Sequence, residues 1–86
     1  MKPIRLSKHA LGYAGKRGFA IAEVEETIRT SPWQPAESGM RRLECSKEFP
    51  FHQSWNDVFC RTKRVRPIFV EEAIEIVVVT VYTYYY

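Results

Sequence analysis

Three side chains near the N-terminus have the types and the spacing needed for acid–base chemistry on a phosphate group. His9, Tyr13 and Arg17 follow one another at intervals of four residues, so a helix over this segment places them along one edge. The imidazole or the phenol can move a proton, and the guanidinium can hold an anionic oxygen. The alternative is structural: His9 bonds to a strand, Tyr13 enters the core and Arg17 caps a carbonyl group.

A second group of basic residues lies in the C-terminal half, at Arg61, Lys63, Arg64 and Arg66. Because alternate side chains of a strand point to opposite faces, Arg64 and Arg66 share one face and Lys63 lies on the other. If that face also carries Thr80 and Tyr82, it forms a basic and aromatic groove. Aromatic rings that stack bases, beside cations that meet phosphates, are typical of surfaces that bind single-stranded RNA. The alternative is cross-strand pairing of Arg66 with a glutamate.

Length and composition predict a single domain, over residues 1–86, with an ordinary soluble composition. Hydrophobic residues make up 45% of the 86-residue chain and charged residues 27%. The net charge of +3 arises from basic blocks in 1–19 and 57–66, offset by acidic blocks in 20–30 and 71–75. Two basic blocks that meet in the fold would suit a polyanion, whereas two separate blocks would be ordinary solvated surface.

The cysteines and histidines give little indication of a metal site. Cys45 and Cys60 are too few for a disulfide scaffold, and with His9 and His52 they lack the close ligand spacing of zinc sites. No phosphate-binding glycine loop or hydrolase motif occurs. We therefore expect no cofactor and no metal. Because the N-terminus has no apolar signal segment and no run is long enough to cross a bilayer, we expect a cytoplasmic protein with no membrane contact.

The first half of the chain predicts one short strand and two helices. Pro3 to Leu6 is the strand, Ser7 caps a helix that runs to about Arg17, and Gly18 ends it. A second helix runs from about Ala20 to Thr30, with an apolar stripe at the spacing of a helix face. Ser31–Pro32 stops this helix, and a loop follows over 33–39.

The second half predicts antiparallel strands. Strands are expected at Met40–Phe49, Asp57–Lys63 and Arg64–Glu72, with a turn over Pro50–Asn56. The last strand, Ile74–Tyr84, is continuously apolar in its first half, which indicates an interior position in the sheet. The whole is an α+β fold: a short N-terminal strand, two helices, then an antiparallel meander of three to four strands packed on the helices.

Alternation within the last strand predicts two different faces. Val77, Val79 and Val81 form an all-valine face that should enter the core. The other face carries Val78, Thr80, Tyr82 and Tyr84, and could line a groove. The aromatic end of the chain, Tyr82 to Tyr86, also suits an interface with a partner protein or with a second copy of the chain.

Several short motifs resemble those of a bacterial family known as domain of unknown function 4258. They are S-K-H-A at Ser7–Ala10, R-G at Arg17–Gly18, V-E-E-x-I at Val24–Ile28, V-R-P-I-F-V-E-E at Val65–Glu72 and I-V-V-V-T-V-Y at Ile76–Tyr82. Their order and spacing together extend over residues 4–85. The family looks like a distant relative of the RelE/ParE and BrnT toxins, so the resemblance implies a RelE-like fold.

The resemblance implies a toxin-like component of a bacterial toxin–antitoxin pair, with RNA and a small antitoxin-like protein as partners. Several of these toxins cleave RNA without metal, so the resemblance implies His9 as the candidate base and Arg17 as the candidate phosphate ligand, while Tyr13 or Tyr82 would orient the substrate or donate a proton. This chain departs from the family at Tyr13, where arginine is usual, and at Ala20, where a serine or threonine cap is usual. The alternative is a non-catalytic protein-binding or dimerising module.

Overall fold

A computed structural model describes residues 1–37, 39 and 41–86 and has an α+β architecture. Three helices and a six-stranded, mostly antiparallel sheet follow one another along the chain. They are β1 (Ile4–Leu6), α1 (Lys8–Gly12), α2 (Ala14–Arg17), α3 (Ile21–Thr30), β2 (Gln34–Pro35), β3 (Leu43–Glu44), β4 (Lys47–Trp55), β5 (Val58–Glu71) and β6 (Ile76–Tyr85). The strand order is β1-β6-β5-β3-β2, and β4 also pairs with β5.

The first predicted helix is interrupted, so the expectation of two helices was wrong. Ser7 begins α1 as predicted, because its side-chain oxygen accepts from the Ala10 amide at 3.1 Å. The helix breaks at Tyr13, whose φ of −97° and ψ of −3° lie outside the regular helical range. Glycines on both sides of the break weaken helix propensity, and α2 then ends at Gly18 with a left-handed φ of 73°.

The second predicted helix, α3, forms as the apolar stripe indicates. Val24, Thr27 and Ile28 are buried against the sheet. Ala20 cannot cap the helix with a side chain, but the Glu23 carboxylate accepts from the Ala20 amide at 2.8 Å. A residue in the first turn therefore satisfies an amide at the helix start that would otherwise lack a partner.

The last strand lies inside the sheet, as its apolar run predicts. β6 pairs with β5 on one side, antiparallel, and with β1 on the other, in parallel. The parallel pairing extends only from Ile4 opposite Ile76 to Leu6 opposite Val78. Beyond Val78 the outer edge of β6 is covered by the segment that starts at Ser7 and continues through α1 and α2. The Ser7 hydroxyl donates to the Val79 carbonyl at 3.1 Å.

The turn expected over Pro50–Asn56 was wrong in its extent. The segment predicted as a turn at Pro50–Asn56 continues as strand β4 to Trp55, and Asn56–Asp57 alone make the hairpin turn, with φ of 51° and 67°. Paired left-handed residues are the hairpin geometry that fits the twist of the strands. Pro50 lies in an edge strand, where a missing N–H need not break a ladder.

The two strands expected at Asp57–Lys63 and Arg64–Glu72 are one continuous strand, β5. Pro67 pairs with Val81 of β6 and, on its other side, lies opposite the gap between β3 and β4. Its missing N–H therefore falls where no neighbouring strand requires it. The strand predicted at Met40–Phe49 is likewise divided, into β3 and the start of β4, while Met40 lies outside the described residues.

A bulge in β6 overturns the prediction of an all-valine core face. Ile68 pairs with Thr80, but its neighbour Phe69 pairs with Val78, so Val79 is an extra residue without a partner. Side-chain alternation is shifted by one beyond this point. Val78 and Val81 therefore both face the helices and are fully buried.

The core lies between the helices and one face of the sheet. Its members are Leu6, Ala10, Phe19, Val24, Ile28, Cys45, Val65, Phe69, Ile76, Val78 and Val81. Phe69 is its largest fully buried side chain, and Trp33 meets it edge-on with ring centroids 5.0 Å apart. None of the helices in the described part of the chain packs on the opposite face of the sheet.

Burial of Cys45 predicts a loss of stability at alkaline pH. Burial raises the pKa of this thiol to about 12, so the unfolded chain forms the thiolate first. The protonated Cys45 thiol therefore makes its full contribution to the free energy of unfolding at pH values below the ordinary thiol pKa. This contribution falls as the pH rises to about 12, by at most about 1.4 kcal/mol per pH unit.

Denaturant titrations between about pH 8 and 11 measure this effect on the free energy of unfolding. Cys45→Ala is the matched control, since it lacks the thiol and should show a shallower decline. If the free energy of unfolding fell equally with pH in both proteins, another group, such as Tyr85, would dominate the alkaline transition.

Among the described residues, the structure contains no helix with the length and apolar character needed to cross a membrane.

Candidate nucleic-acid interface

Seven side chains form a continuous row of rings and cations that crosses from the helices to the helix-free face of the sheet. We call it the cation–tyrosine row, and its members in order are His9, Tyr13, Arg17, Tyr82, Arg66, Tyr84 and Arg64. Neighbours in the row lie within the range of cation–π or ring–ring contact.

The helical part of the row keeps the alignment that the four-residue spacing predicts. The rings of His9 and Tyr13 have centroids 4.9 Å apart, and the Arg17 guanidinium carbon lies 4.0 Å from the Tyr13 centroid. The break at Tyr13 does not move these side chains apart. His9 is exposed and Tyr13 is half-buried, so the imidazole is open to a ligand.

Arg17 is the junction between the helical segment and the sheet. Its guanidinium carbon lies 5.0 Å from the Tyr82 centroid. One guanidinium nitrogen donates to the Thr80 hydroxyl at 3.2 Å and to the Val81 carbonyl at 2.8 Å. The structural alternative is therefore realised in part, because Arg17 does cap a strand carbonyl at the outer edge of β6.

The sheet part of the row follows from strand register. Arg66 pairs with Tyr82 and Arg64 with Tyr84, so the four side chains share one face, as predicted. The Arg66 guanidinium carbon lies 5.0 Å from the Tyr82 centroid and 6.0 Å from that of Tyr84, and Arg64 lies 5.8 Å from Tyr84. Within the described residues Arg66 forms no salt bridge with a glutamate, contrary to the structural alternative.

Two hydroxyl groups of β6 hold the backbone of Arg17 in place. The Thr83 hydroxyl donates to the Arg17 carbonyl at 2.6 Å and the Tyr85 hydroxyl does so at 2.7 Å. The Tyr85 ring stacks on Trp55 with centroids 4.3 Å apart. Burial raises the pKa of Tyr85, which keeps its hydroxyl protonated as a donor.

Lys63 also holds the end of α2 against the sheet, and it lies apart from the other basic residues of β5. Its side chain is on the helix face and only 9% exposed. The ammonium nitrogen donates to the Gly18 carbonyl at 2.8 Å and pairs with the Glu23 carboxylate at 2.8 Å. The structure thus separates Lys63 from Arg64 and Arg66, with which the sequence grouped it as a nucleic-acid contact.

Glycine is required at position 18, where the end of α2 lies against Tyr85 and Trp55. Its φ is +73°, and a Cβ there would overlap the Tyr85 hydroxyl and the Trp55 ring. Any other residue would add steric overlap to an unfavourable backbone conformation. The close approach fixes the carbonyl groups of Arg17 and Gly18 against the sheet.

Arg61 lies outside the row, beside a separate shallow recess of about 360 Å³ whose other lining residues are Glu48, Phe49, Pro50, His52 and Thr62. Nearby, the Tyr86 hydroxyl donates to the Glu48 carboxylate, and this hydrogen bond raises the pKa of Tyr86. The sequence grouped Arg61 with Arg64 and Arg66, but the fold gives it different neighbours.

A larger recess of about 610 Å³ adjoins the row on the helix-free face. Its lining residues are Gln34, Pro35, Glu37, Glu44, Arg66, Ile68 and Tyr82. The sequence pattern did not indicate Gln34 or Glu44 as site residues, because both occur in two-residue strands without recognisable alternation. Alternation along the strand predicts the correct face for Tyr84, but the sequence pattern does not indicate it as a site residue.

No three His, Cys, Asp or Glu side chains of the described residues cluster as a metal-ion site would require. Comparisons with protein-family models, with curated proteins and with solved structures find no match to this chain. The resemblance to the domain of unknown function 4258 family, and with it the RelE-like arrangement, therefore stays a prediction.

Proposed function

We propose that this protein binds single-stranded RNA along the cation–tyrosine row and cleaves it with His9 as the base, without requiring a metal ion. The observation that carries the proposal is the position of Tyr82. The guanidinium carbons of Arg17 and Arg66 each lie 5.0 Å from its ring centroid. This contact joins residues with acid–base chemistry to the basic face of the sheet.

Binding would use the alternation of rings and cations along the sheet. Tyr82 and Tyr84 are 38% and 41% exposed, which leaves ring surface for bases. Stacking on such rings contributes about 1–3 kcal/mol per base and does not depend strongly on sequence. The positive charge of Arg64 and Arg66 beside them attracts the phosphate backbone, which makes binding sensitive to salt.

Cleavage would proceed through the 2′-hydroxyl of the bound RNA. His9 takes the hydroxyl proton while the oxygen attacks the adjacent phosphorus. The bond to the 5′-oxygen breaks, and this oxygen takes a proton from Tyr13, leaving a 2′,3′-cyclic phosphate and a 5′-hydroxyl end. Arg17, stacked on Tyr13 at 4.0 Å, stabilises the negative charge on the phosphate oxygens in the transition state. Proton transfer then returns His9 and Tyr13 to their starting states.

The same proposal includes a biological role as the toxin-like component of a toxin–antitoxin pair. A ribonuclease that cleaves cellular RNA would damage the cell that makes it, so it needs an inhibitor. A small antitoxin-like protein that covers the row would supply this control. The RelE-like arrangement of helices before antiparallel strands is part of this proposal.

A second candidate function is a protein-binding or dimerising module, and the outer edge of β6 favours it. β1 pairs with β6 only as far as Val78. Past the residues that Ser7 and Arg17 cover, the strand has no further strand partner among the described residues. Tyr84 and Tyr86 are exposed there, and unpaired strand edges with exposed aromatic side chains are common docking sites.

Fluorescence anisotropy with a labelled single-stranded 2′-O-methyl RNA tests the binding step, because this RNA lacks the attacking hydroxyl. Arg66→Met is expected to weaken binding by about tenfold and to reduce its salt dependence between about 50 and 200 mM. Arg29→Met, on the far side of α3, is the matched control and should stay within about twofold of wild type.

Absence of saturable RNA binding would overturn the proposed function. If sedimentation then shows a dimer that Tyr84→Ser dissociates, the docking candidate is supported instead. Equal RNA affinity for Arg66→Met and wild type would mean that RNA binds elsewhere than on the row.

A further inference from the structure

The recess beside the row combines polar and apolar lining residues. It has a volume of about 610 Å³ and shares Arg66 and Tyr82 with the cation–tyrosine row. Register explains how its walls form: Gln34 pairs with Glu44, Glu44 with Ile68, and Ile68 with Thr80. Side chains from four strands therefore stand side by side, with Ile68 and Pro35 as its apolar part.

The pocket carries more negative than positive charge. Its charged lining residues are two carboxylates, Glu37 and Glu44, and one guanidinium, Arg66. Carboxylates repel phosphate groups, so the pocket should take an uncharged group that donates hydrogen bonds. Phosphates would remain outside, along Arg17 and Arg64 of the row.

Glu44 has unused capacity to accept hydrogen bonds. One of its carboxylate oxygens accepts from the Gln34 amide, at a long distance of 3.4 Å. No other hydrogen bond to its side chain is found within the described part of the chain. An ionised carboxylate has about four acceptor positions, so a ligand with two adjacent donors can bind it.

Arg66 has the complementary capacity to donate. No hydrogen bond joins its guanidinium to another described residue, and its Nε atom is buried without a partner. Buried donors are normally satisfied, and an unsatisfied one is unfavourable. A ligand with two adjacent acceptors would engage the two terminal nitrogens of the guanidinium as a fork.

Strand register places Arg66 and Glu44 near each other on one face of the sheet. Arg66 is the diagonal cross-strand neighbour of Glu44, since Glu44 lies opposite Ile68. Diagonal neighbours on one face of a sheet are separated by about 7–8 Å. The two side chains form no salt bridge with each other in the described chain, so both can turn toward a bound ring.

We infer that this recess is a guanine-specific subsite for the RNA that the row binds. Guanine has two adjacent donors, N1–H and the N2 amino group, which match the Glu44 carboxylate. It also has the O6 and N7 acceptors, which arginine recognises in bidentate fashion. Uracil has no amino group for Glu44. Adenine and cytosine each have one amino group but lack the O6–N7 pair for Arg66.

The inference rests on the proposed function, because the guanine is part of a bound RNA. The test compares 2′-O-methyl hexauridylate with the same oligonucleotide carrying one central guanosine, by fluorescence anisotropy. Wild-type protein is expected to bind the guanosine-containing RNA about tenfold more tightly. Inosine, which lacks the N2 amino group, and 7-deazaguanosine, which lacks N7, should each lose a large part of this gain.

Glu44→Gln should reduce the guanosine preference to about twofold or less, and leave hexauridylate affinity within about twofold of wild type. Glu72→Gln, the same change in the turn before β6, is the matched control and should keep the full preference. The inosine comparison uses unaltered protein, so it decides the question even if Glu44→Gln does not fold.

The two proposals fail in different ways. Saturable binding of both oligonucleotides with equal affinity would overturn the guanine subsite and leave the RNA-binding function standing. A preference that survives both Glu44→Gln and inosine substitution would also overturn it. Absence of binding to either oligonucleotide would overturn the proposed function and the subsite together.

Discussion

Replacing His9 with alanine is expected to slow RNA cleavage by about 10²–10⁴-fold, the usual contribution of a positioned general base. RNA affinity should stay within about twofold, because His9 lies at the end of the row, away from the arginines of the sheet. The measurement is the single-turnover rate with an unmodified RNA in EDTA, together with identification of the 2′,3′-cyclic phosphate product.

Lys8→Ala is the matched control, because Lys8 is the exposed neighbour of His9 in α1 and has no part in the reaction. It should keep the wild-type cleavage rate. An equal rate for His9→Ala and wild type would contradict the assignment of His9 as the base. RNA with a 2′-deoxy substitution at the cleaved position should be resistant, whichever residue is the base.

Bacterial growth gives the corresponding test in the cell. Induction of the wild-type chain alone is expected to arrest growth, whereas induction of His9→Ala or Arg17→Ala should not. Unimpaired growth with abundant folded wild-type protein would contradict the toxin role, and equal arrest by all three proteins would contradict a catalytic cause of toxicity.

Replacing Lys63 with methionine is expected to lower the free energy of unfolding by about 3 kcal/mol, the lower end of the cost of removing one partner from a buried ion pair. The variant leaves the Glu23 carboxylate and the Gly18 carbonyl without their 2.8 Å partner. The expected loss in the free energy of unfolding is at the lower end of this range because the Glu23 side chain is 23% exposed. Urea titration at neutral pH measures the change.

Arg61→Met is the matched control, since Arg61 is exposed on the same strand, and should change stability by less than about 0.5 kcal/mol. The double variant Lys63→Met/Glu23→Gln should recover much of the loss, because no unpaired charge remains. Well below its unfolding transition, Lys63→Met should bind RNA with unchanged affinity. Weakened RNA binding without a loss of stability would instead make Lys63 an RNA contact.

The sequence predicts those elements best in which local residue types and final surroundings agree. The apolar stripe of α3 and the branched and aromatic residues of β6 both predict their elements within two residues at each end. The continuous apolar run also predicts the interior position of β6. In each case the hydrophobic period already encodes which face is buried.

The sequence predicts strand boundaries poorly where the effect of a residue depends on its neighbour in space. The sequence predicts a turn that starts at Pro50, yet Pro50 lies within β4, just as Pro67 lies within β5. Pro50 is in an edge strand and Pro67 is opposite the gap between β3 and β4. Only the pairing of strands decides whether a missing N–H leaves a hydrogen bond unmade.

For this protein, the sequence alone determined which side chains are available to form a site. It also determined the spacing of His9, Tyr13 and Arg17 and the shared face of Arg64 and Arg66. The tertiary structure decided how they combine. It moved Lys63 into a buried pair, and the bulge at Val79 shifted the faces of β6.

Assembly of the row and of the recess beside it also depended on tertiary structure. Arg17 meets Tyr82, and Gln34 and Glu44 lie beside Arg66 in the recess, although these residues are far apart in the chain. The physical reason is that helix and strand periodicity act over a few residues, whereas register and packing are set by contacts between distant segments.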